Sequence, residues 1–221
     1  MSDALILGVD TSGPYCSAVL LQGGDLRSEL YEDMPKGQVE ALFPILEDLM
    51  ARGGATWGDL SAIGVGTGPG NFTGIRISVS GMRGLALALD VPVIGVTLLD
   101  ALAHGTTGPV IASIAAPRGQ AYVAGHRMAR DLPPALVTIE DLPQELSEPG
   151  LVSVGSAGAE IAAHLGVPHR PATYASGSAI ARFASARWQE GGAPPPAPFY
   201  LKQADAAPAR DAPPVILDER P

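Results

Sequence analysis

The chain has 221 residues, 46% of them hydrophobic, a lone cysteine and a formal net charge of -9. That length holds one large or two small folded units, and that apolar content excludes disorder throughout. The negative charge argues against a chain that grips nucleic-acid phosphates by itself, and Cys16 alone excludes an intramolecular disulfide framework and a Cys-built zinc site.

The opening MSDALILGVDTS has no basic region ahead of its apolar run and does not read as a signal peptide. Ala4 to Val9 reads as a buried strand ending in the polar turn Asp10-Thr11-Ser12. Cys16 to Gln22 and Leu26 to Tyr31 read as strands joined by the hairpin signal Gly23-Gly24-Asp25. Gln38 to Met50 reads as a helix with Val39, Leu42, Phe43, Leu46, Leu49 and Met50 on one face. Pro44 predicts a kink in it or a later start. Ala62 to Gly66 follows as a strand, Asn71 to Leu89 as a long helix, Val93 to Val96 as a strand, and Leu98 to His104 as a helix capped by Thr97. The most apolar region, GLALALDVPVIGVTLL, is broken by Asp90 and Pro92, which argues against a membrane span. A cytoplasmic protein with no membrane partner is expected.

The second half echoes this order more weakly. Strands are expected at Val110 to Ala115, Gln120 to His126, Leu136 to Ile139 and Leu151 to Val154. A short helix is expected near Glu140 to Leu146, and others near Ala157 to Leu165 and Ser178 to Glu190. From Ala193 onward the chain is rich in Pro and Ala without a period, and reads as irregular.

The stretch GVGTGPGNFTGIRIS, Gly64 to Ser78, carries the strongest local signal. It lacks the Lys of a P-loop and the glycine spacing of a dinucleotide fingerprint. Gly68 and Gly70 flank Pro69 and deliver the chain to a helix N-terminus, where free amides favour an anion. Asp10, Thr11 and Ser12 are the companion candidates for holding a magnesium-bound phosphate. The competing explanation is packing: Gly74, Ser78 and Gly81 form a stripe that lets another backbone approach.

Three sets of residues carry a resemblance. These are Leu7-Gly8-Val9-Asp10-Thr11-Ser12, Cys16-Ser17-Ala18-Val19, and the run Gly68-Pro69-Gly70-Asn71-Phe72-Thr73-Gly74-Ile75-Arg76-Ile77. The chain resembles the TsaB (YeaZ) family, which reads GPGSFTGLRI at the last of these. Pro69, Phe72, Thr73 and Arg76 are the motif positions. Pro198-Phe199-Tyr200-Leu201-Lys202 is similar to a C-terminal family motif. The match is dense from residue 5 to about residue 103 and patchy beyond.

The resemblance implies an α/β, actin-like (RNase-H-like) fold of two related lobes, with mixed sheets flanked by helices. The expected division is 1–105, carrying the dimerisation helices, a smaller lobe at 106–200, and an irregular tail at 201–221. It implies a non-catalytic scaffold that pairs with a catalytic TsaD-type paralog. A TsaE-type P-loop ATPase joins the pair, which N6-threonylcarbamoylates the adenosine beside the anticodon of tRNA. Contact with tRNA is then indirect, and for the chain alone the resemblance leaves both a homodimer and a monomer open. No cofactor is expected to be held tightly by this chain, and the complex can take ATP and Mg. The implied interface is Leu42, Phe43, Leu46, Leu49, Gly74, Ser78, Gly81 and Leu85.

The paralog's metal-binding His-x-x-x-His falls here on Leu98 and Leu102, so no metal is expected. The four histidines, His104, His126, His164 and His169, read as scattered surface residues. Where relatives carry Asp-Ala-Arg the chain has Ala115-Ala116-Pro117, and where they carry a His on the first helix it has Gln38. The alternatives are an autonomous ATP-binding enzyme of the actin-like fold and a glycoprotease-like metallopeptidase.

Overall fold

The computed structural model describes residues 3–191 and 195–201. Two sheets organise them. In the first, β1 (Leu5–Asp10), β2 (Tyr15–Gln22) and β3 (Asp25–Asp33) form an antiparallel meander. β4 (Leu60–Gly66) and β5 (Val93–Val96) extend it in parallel from the other side of β1, giving the order β3-β2-β1-β4-β5. The second sheet contains β6 (Val110–Ala116), β7 (Gln120–His126), β8 (Ala135–Thr138) and β9 (Val152–Gly155) in the order β8-β7-β6-β9. It repeats the plan of the first: an antiparallel meander, then a parallel strand beside its first member.

β1 is buried at every position, as a central strand covered on both faces must be. Its alternating residues go to different partners. Leu5, Leu7 and Val9 join the core under α1 (Gln38–Arg52) and α2 (Phe72–Leu89), with Leu42, Leu46, Leu49, Ile75 and Val79. Ile6 faces the other side, with Val19, Ala62, Ile94, Ala181 and Ala184. The last two belong to α5 (Ser176–Gln189), which packs on β1, β4 and β2 although it lies far along the chain. Gly8 and Gly64 make that seat: a Cβ added at Gly64 would lie 2.8 Å from the Ala184 Cβ. α3 (Leu98–Ala103) packs on β6 and α5, and α4 (Gly158–Leu165) packs on β9.

Most expected elements are present, with ends shifted by one or two residues. α1 runs unbroken from Gln38 to Arg52 with Pro44 inside it, because Leu42, Ile45, Leu46, Leu49 and Met50 anchor it to the sheet on both sides of the proline. The helix expected at Glu140 to Leu146 is instead two 3-10 turns, Ile139–Asp141 and Gln144–Leu146. Pro143 lies between them and cannot continue a helical ladder. Thr97 caps α3 as expected, its hydroxyl accepting from Asp100 N at 3.0 Å. Of the tail expected at 201–221, residues 202–221 lie outside the described residues, as does Lys202 of the C-terminal motif.

Candidate functional site

The turn after β1 is closed upon itself. Asp10 is fully buried; Oδ1 accepts from Ser12 N at 3.0 Å and Oδ2 from the Tyr15 hydroxyl at 2.6 Å. Burial first, and then the Asp10 carboxylate, push the Tyr15 phenol far above its ordinary range, so it remains a donor to Asp10 at any physiological pH. Thr11 Oγ1 donates to Gly74 O at 2.7 Å. Gln38 is buried at the start of α1, and its Nε2 donates to the carbonyls of Gly13 and Tyr15, each at 2.8 Å. Ser12 Oγ is buried without a well-formed hydrogen bond, close enough to the Tyr15 hydroxyl to act on that phenol.

The glycine loop packs against that turn. Asn71 N donates to Ser12 O at 2.6 Å, and Asn71 Oδ1 accepts from Gly74 N at 2.9 Å to cap α2. At Gly70 and Gly74 an added Cβ would collide with the backbone oxygens of Ser12 and Thr11. Gly68 adopts φ 95°, a conformation that favours glycine, and precedes Pro69 through a cis peptide bond. The small residues are thus used by loop-on-loop contact, and two of the donors or acceptors at the helix start are consumed within the protein. Phe199 N donates to Thr67 O at 2.8 Å, which pins the C-terminal segment to the same loop. At its edge Arg76 stacks on Phe72, 3.8 Å from the ring centroid, and its Nε donates to the Tyr200 hydroxyl at 3.0 Å.

Beside these loops a cleft of 670 Å³ opens between the ends of the two sheets. Ser12, Tyr15, Tyr31, Pro69 and Asn71 line one side; Ile114, Ala115, Ala116, Pro117, Tyr122 and Ser156 line the other. Leu98 and Leu102 also face it, so the places where a metal-binding paralog would carry histidines present hydrocarbon. Among the described residues no three His, Cys, Asp or Glu side chains cluster as metal ligands. Asp10 is not among the lining residues, so the carboxylate expected to hold a magnesium-bound phosphate is sealed behind Tyr15.

The outer face of α1 and α2 divides the expected interface in two. Leu42, Leu46, Leu49, Gly74 and Ser78 are buried in the chain's own core and have no surface to offer a partner. Phe43 remains 42% exposed, and Gly81 and Leu85 are half-buried. Apolar residues that the expected interface left out are also exposed on these helices: Val39 on α1, and Phe72 and Leu87 near the two ends of α2, the last 85% exposed. Gly84 faces open space.

A family model described as TsaD, tRNA N6-adenosine threonylcarbamoyltransferase, matches residues 32–146, about half the chain. The tRNA threonylcarbamoyladenosine biosynthesis protein TsaB of Escherichia coli K12 is 33% identical over 127 residues, covering 55% of this chain and 54% of that protein. The solved YeaZ from Pseudomonas aeruginosa superposes with a TM-score of 0.71 at 28% identity, covering 90% of this chain and all of that one. The chain belongs to the TsaB/YeaZ family. It spans about half the length of the first curated TsaB relatives it matches.

The fold of this TsaB/YeaZ chain is actin-like. The activator of 2-hydroxyisocaproyl-CoA dehydratase from Clostridium difficile, solved with bound ADPNP, has a TM-score of 0.54 at 12% identity over 84% of this chain and 96% of that one, a likeness of fold alone. Within the family frame, Tyr15 is a residue that sequence reasoning missed, and Gln38 entered it only as a departure from the family's His. Each acts on the turn through contacts that only the folded chain creates. The histidines also differ from expectation: His169 is exposed, while His104, His126 and His164 are half-buried. His104 stacks near Tyr174 and Phe183, His126 faces Asp100, and His164 meets Leu142 O at 2.8 Å. Cys16 is buried as expected, and burial, aided by Glu32 and Asp10, pushes its thiol up to about 11. No helix among the described residues is long and apolar enough to cross a membrane.

Proposed function

We propose that this chain is a cytoplasmic, non-catalytic scaffold subunit that supports threonylcarbamoylation of tRNA adenosine. It pairs with a catalytic TsaD-type paralog, a TsaE-type P-loop ATPase joins the pair, and tRNA is held by the assembly. The observation that carries this reading is the apolar surface that α1 and α2 leave outside the core: Val39 and Phe43 on α1, and Phe72 and Leu87 near the two ends of α2, each at least 40% exposed. Large apolar side chains exposed on neighbouring helices mark an interaction surface. With no paralog present, the same surface would join two copies of this chain. The reading takes 1–105 and 106–200 as the two lobes, with α5 returning to the first.

The sealing of Asp10 by Tyr15 favours a scaffold over an autonomous ATP-binding enzyme, since a magnesium-phosphate site needs that carboxylate free. The leucines at Leu98 and Leu102 count against a metallopeptidase.

The test is co-purification of the tagged chain with a co-expressed TsaD-type paralog. The variant Leu87→Glu combined with Gly84→Trp alters only solvent-facing positions, so it should melt no lower than the wild-type chain and lose the paralog. Full recovery of the paralog by that variant would place the interface elsewhere, and failure of the wild-type chain to recover any paralog would remove the scaffold reading.

A further inference from the structure

The C-terminal segment runs beside β5, the edge strand of the first sheet. A Cβ added at Gly95 would lie 2.8 Å from the Pro196 Cβ, and Phe199 N donates to Thr67 O at 2.8 Å. Tyr200 then stacks on Phe72, ring centroids 4.7 Å apart, which places Leu201, the last described residue, beside the start of α2. Toward the other end of α2 a groove of 570 Å³ opens between the helix, the beginning of β5 and Pro195. Leu87, Val91 and Val93 line it with hydrocarbon, and Leu87 is 85% exposed. Arg83 and Asp90 are its two charged residues, and neither is ion-paired with another described residue.

We propose that the run Val215-Ile216-Leu217 of the same chain docks in this groove. Between Lys202 and Pro221 it is the only run of large aliphatic residues, and burying such side chains against an apolar groove is favourable. Asp218 and Glu219 follow it at once, then Arg220, charges opposite to those of Arg83 and Asp90. Val215 comes fourteen residues after Leu201, a reach of about 45 Å when extended. The way along α2 from Phe72 to Leu87 is about 22 Å. Attachment to the same chain gives the run an effective concentration on the order of millimolar at the groove, so modest contacts are enough. The docking does not rest on the proposed pairing, but it bears on it: a seated run covers Leu87, and a partner that uses Leu87 has to displace it.

Disulfide trapping in the full chain tests this. The native Cys16 is buried and its thiol is pushed up to about 11, so it stays out of the exchange. In a mild glutathione redox buffer, Leu87→Cys with Ile216→Cys should close a disulfide within one chain. It should do so at least tenfold faster than Leu26→Cys with Ile216→Cys. Leu26 is 52% exposed on β3, at the opposite edge of the first sheet from β5. Arg83→Glu should slow the trapping at Leu87→Cys, and adding Asp218→Lys and Glu219→Lys should restore it. Should Leu87→Cys lower the melting temperature, Gly84→Cys takes its place, since a Cβ there meets open space. Any of three results overturns the proposal: rates at the two sites that are equal or both nil, trapping indifferent to Arg83→Glu, or a disulfide that joins two chains, which would make a second copy the occupant.

Discussion

The Asp10-Thr11-Ser12 turn shows how neighbours redirect a residue's chemistry. An acidic residue at the end of a first strand could serve phosphate, but here Tyr15 and the glycine loop occupy what a ligand would need. Gln38 is the clearest single support of that arrangement. Its amide satisfies two carbonyls, those of Gly13 and Tyr15, that would otherwise be left under the α1 start. Replacing it removes donors from largely buried acceptors, a loss of about 1–3 kcal/mol. Gln38→Ala should therefore lower the urea midpoint without changing the slope of the transition. An unchanged midpoint would mean that water replaces the amide at no cost. Nothing local in the sequence marks Tyr15 or Gln38 for these roles, because their partners are set by how the turn folds back on α1.

Elements were legible where the period was strong and the boundaries were chemical. The meander, α1, α2 and the Thr97 cap follow from alternation, helical spacing and turn residues read directly from the chain. Periodicity could not say what the apolar face of α1 touches: Leu42, Leu46 and Leu49 have the same spacing whether they meet the chain's own sheet or a partner. In the fold the sheet takes them, and Phe43 and Val39 are left outside. The misread segment at Glu140 to Leu146 had its stop signal, Pro143, in plain view. α2 carries an element-scale consequence. Gly84 faces open space in the middle of an 18-residue helix, where glycine costs up to about 1 kcal/mol relative to alanine. Gly84→Ala should raise the melting temperature by about 2–4 °C. A fall would show that the helix there is strained or already in contact with a second copy.

At the scale of the whole molecule, the question is which parts of the chain can fold alone. The seat of α5 was not legible as a contact, since it joins residues far apart in the chain. Its faint trace was glycine inside two strands, Gly8 and Gly64, where a strand interior gains nothing from glycine unless another backbone comes close. The first sheet has one face under α1 and α2 and the other under α5. Removing α5 would uncover Ile6, Val19, Leu21, Ala62 and Ile94, all at most 1% exposed. Uncovering a large aliphatic side chain costs about 1.5–3 kcal/mol, against a total stability of about 5–15 kcal/mol for a typical domain. Residues 1–175, and equally residues 1–105, should thus lack a cooperative thermal transition and native near-UV circular dichroism. Addition of a peptide spanning residues 170–201 should restore part of both in the 1–175 fragment. A cooperative transition in the 1–105 fragment alone would show that the far face of the sheet tolerates water, and that α5 closes the molecule without being needed to fold it.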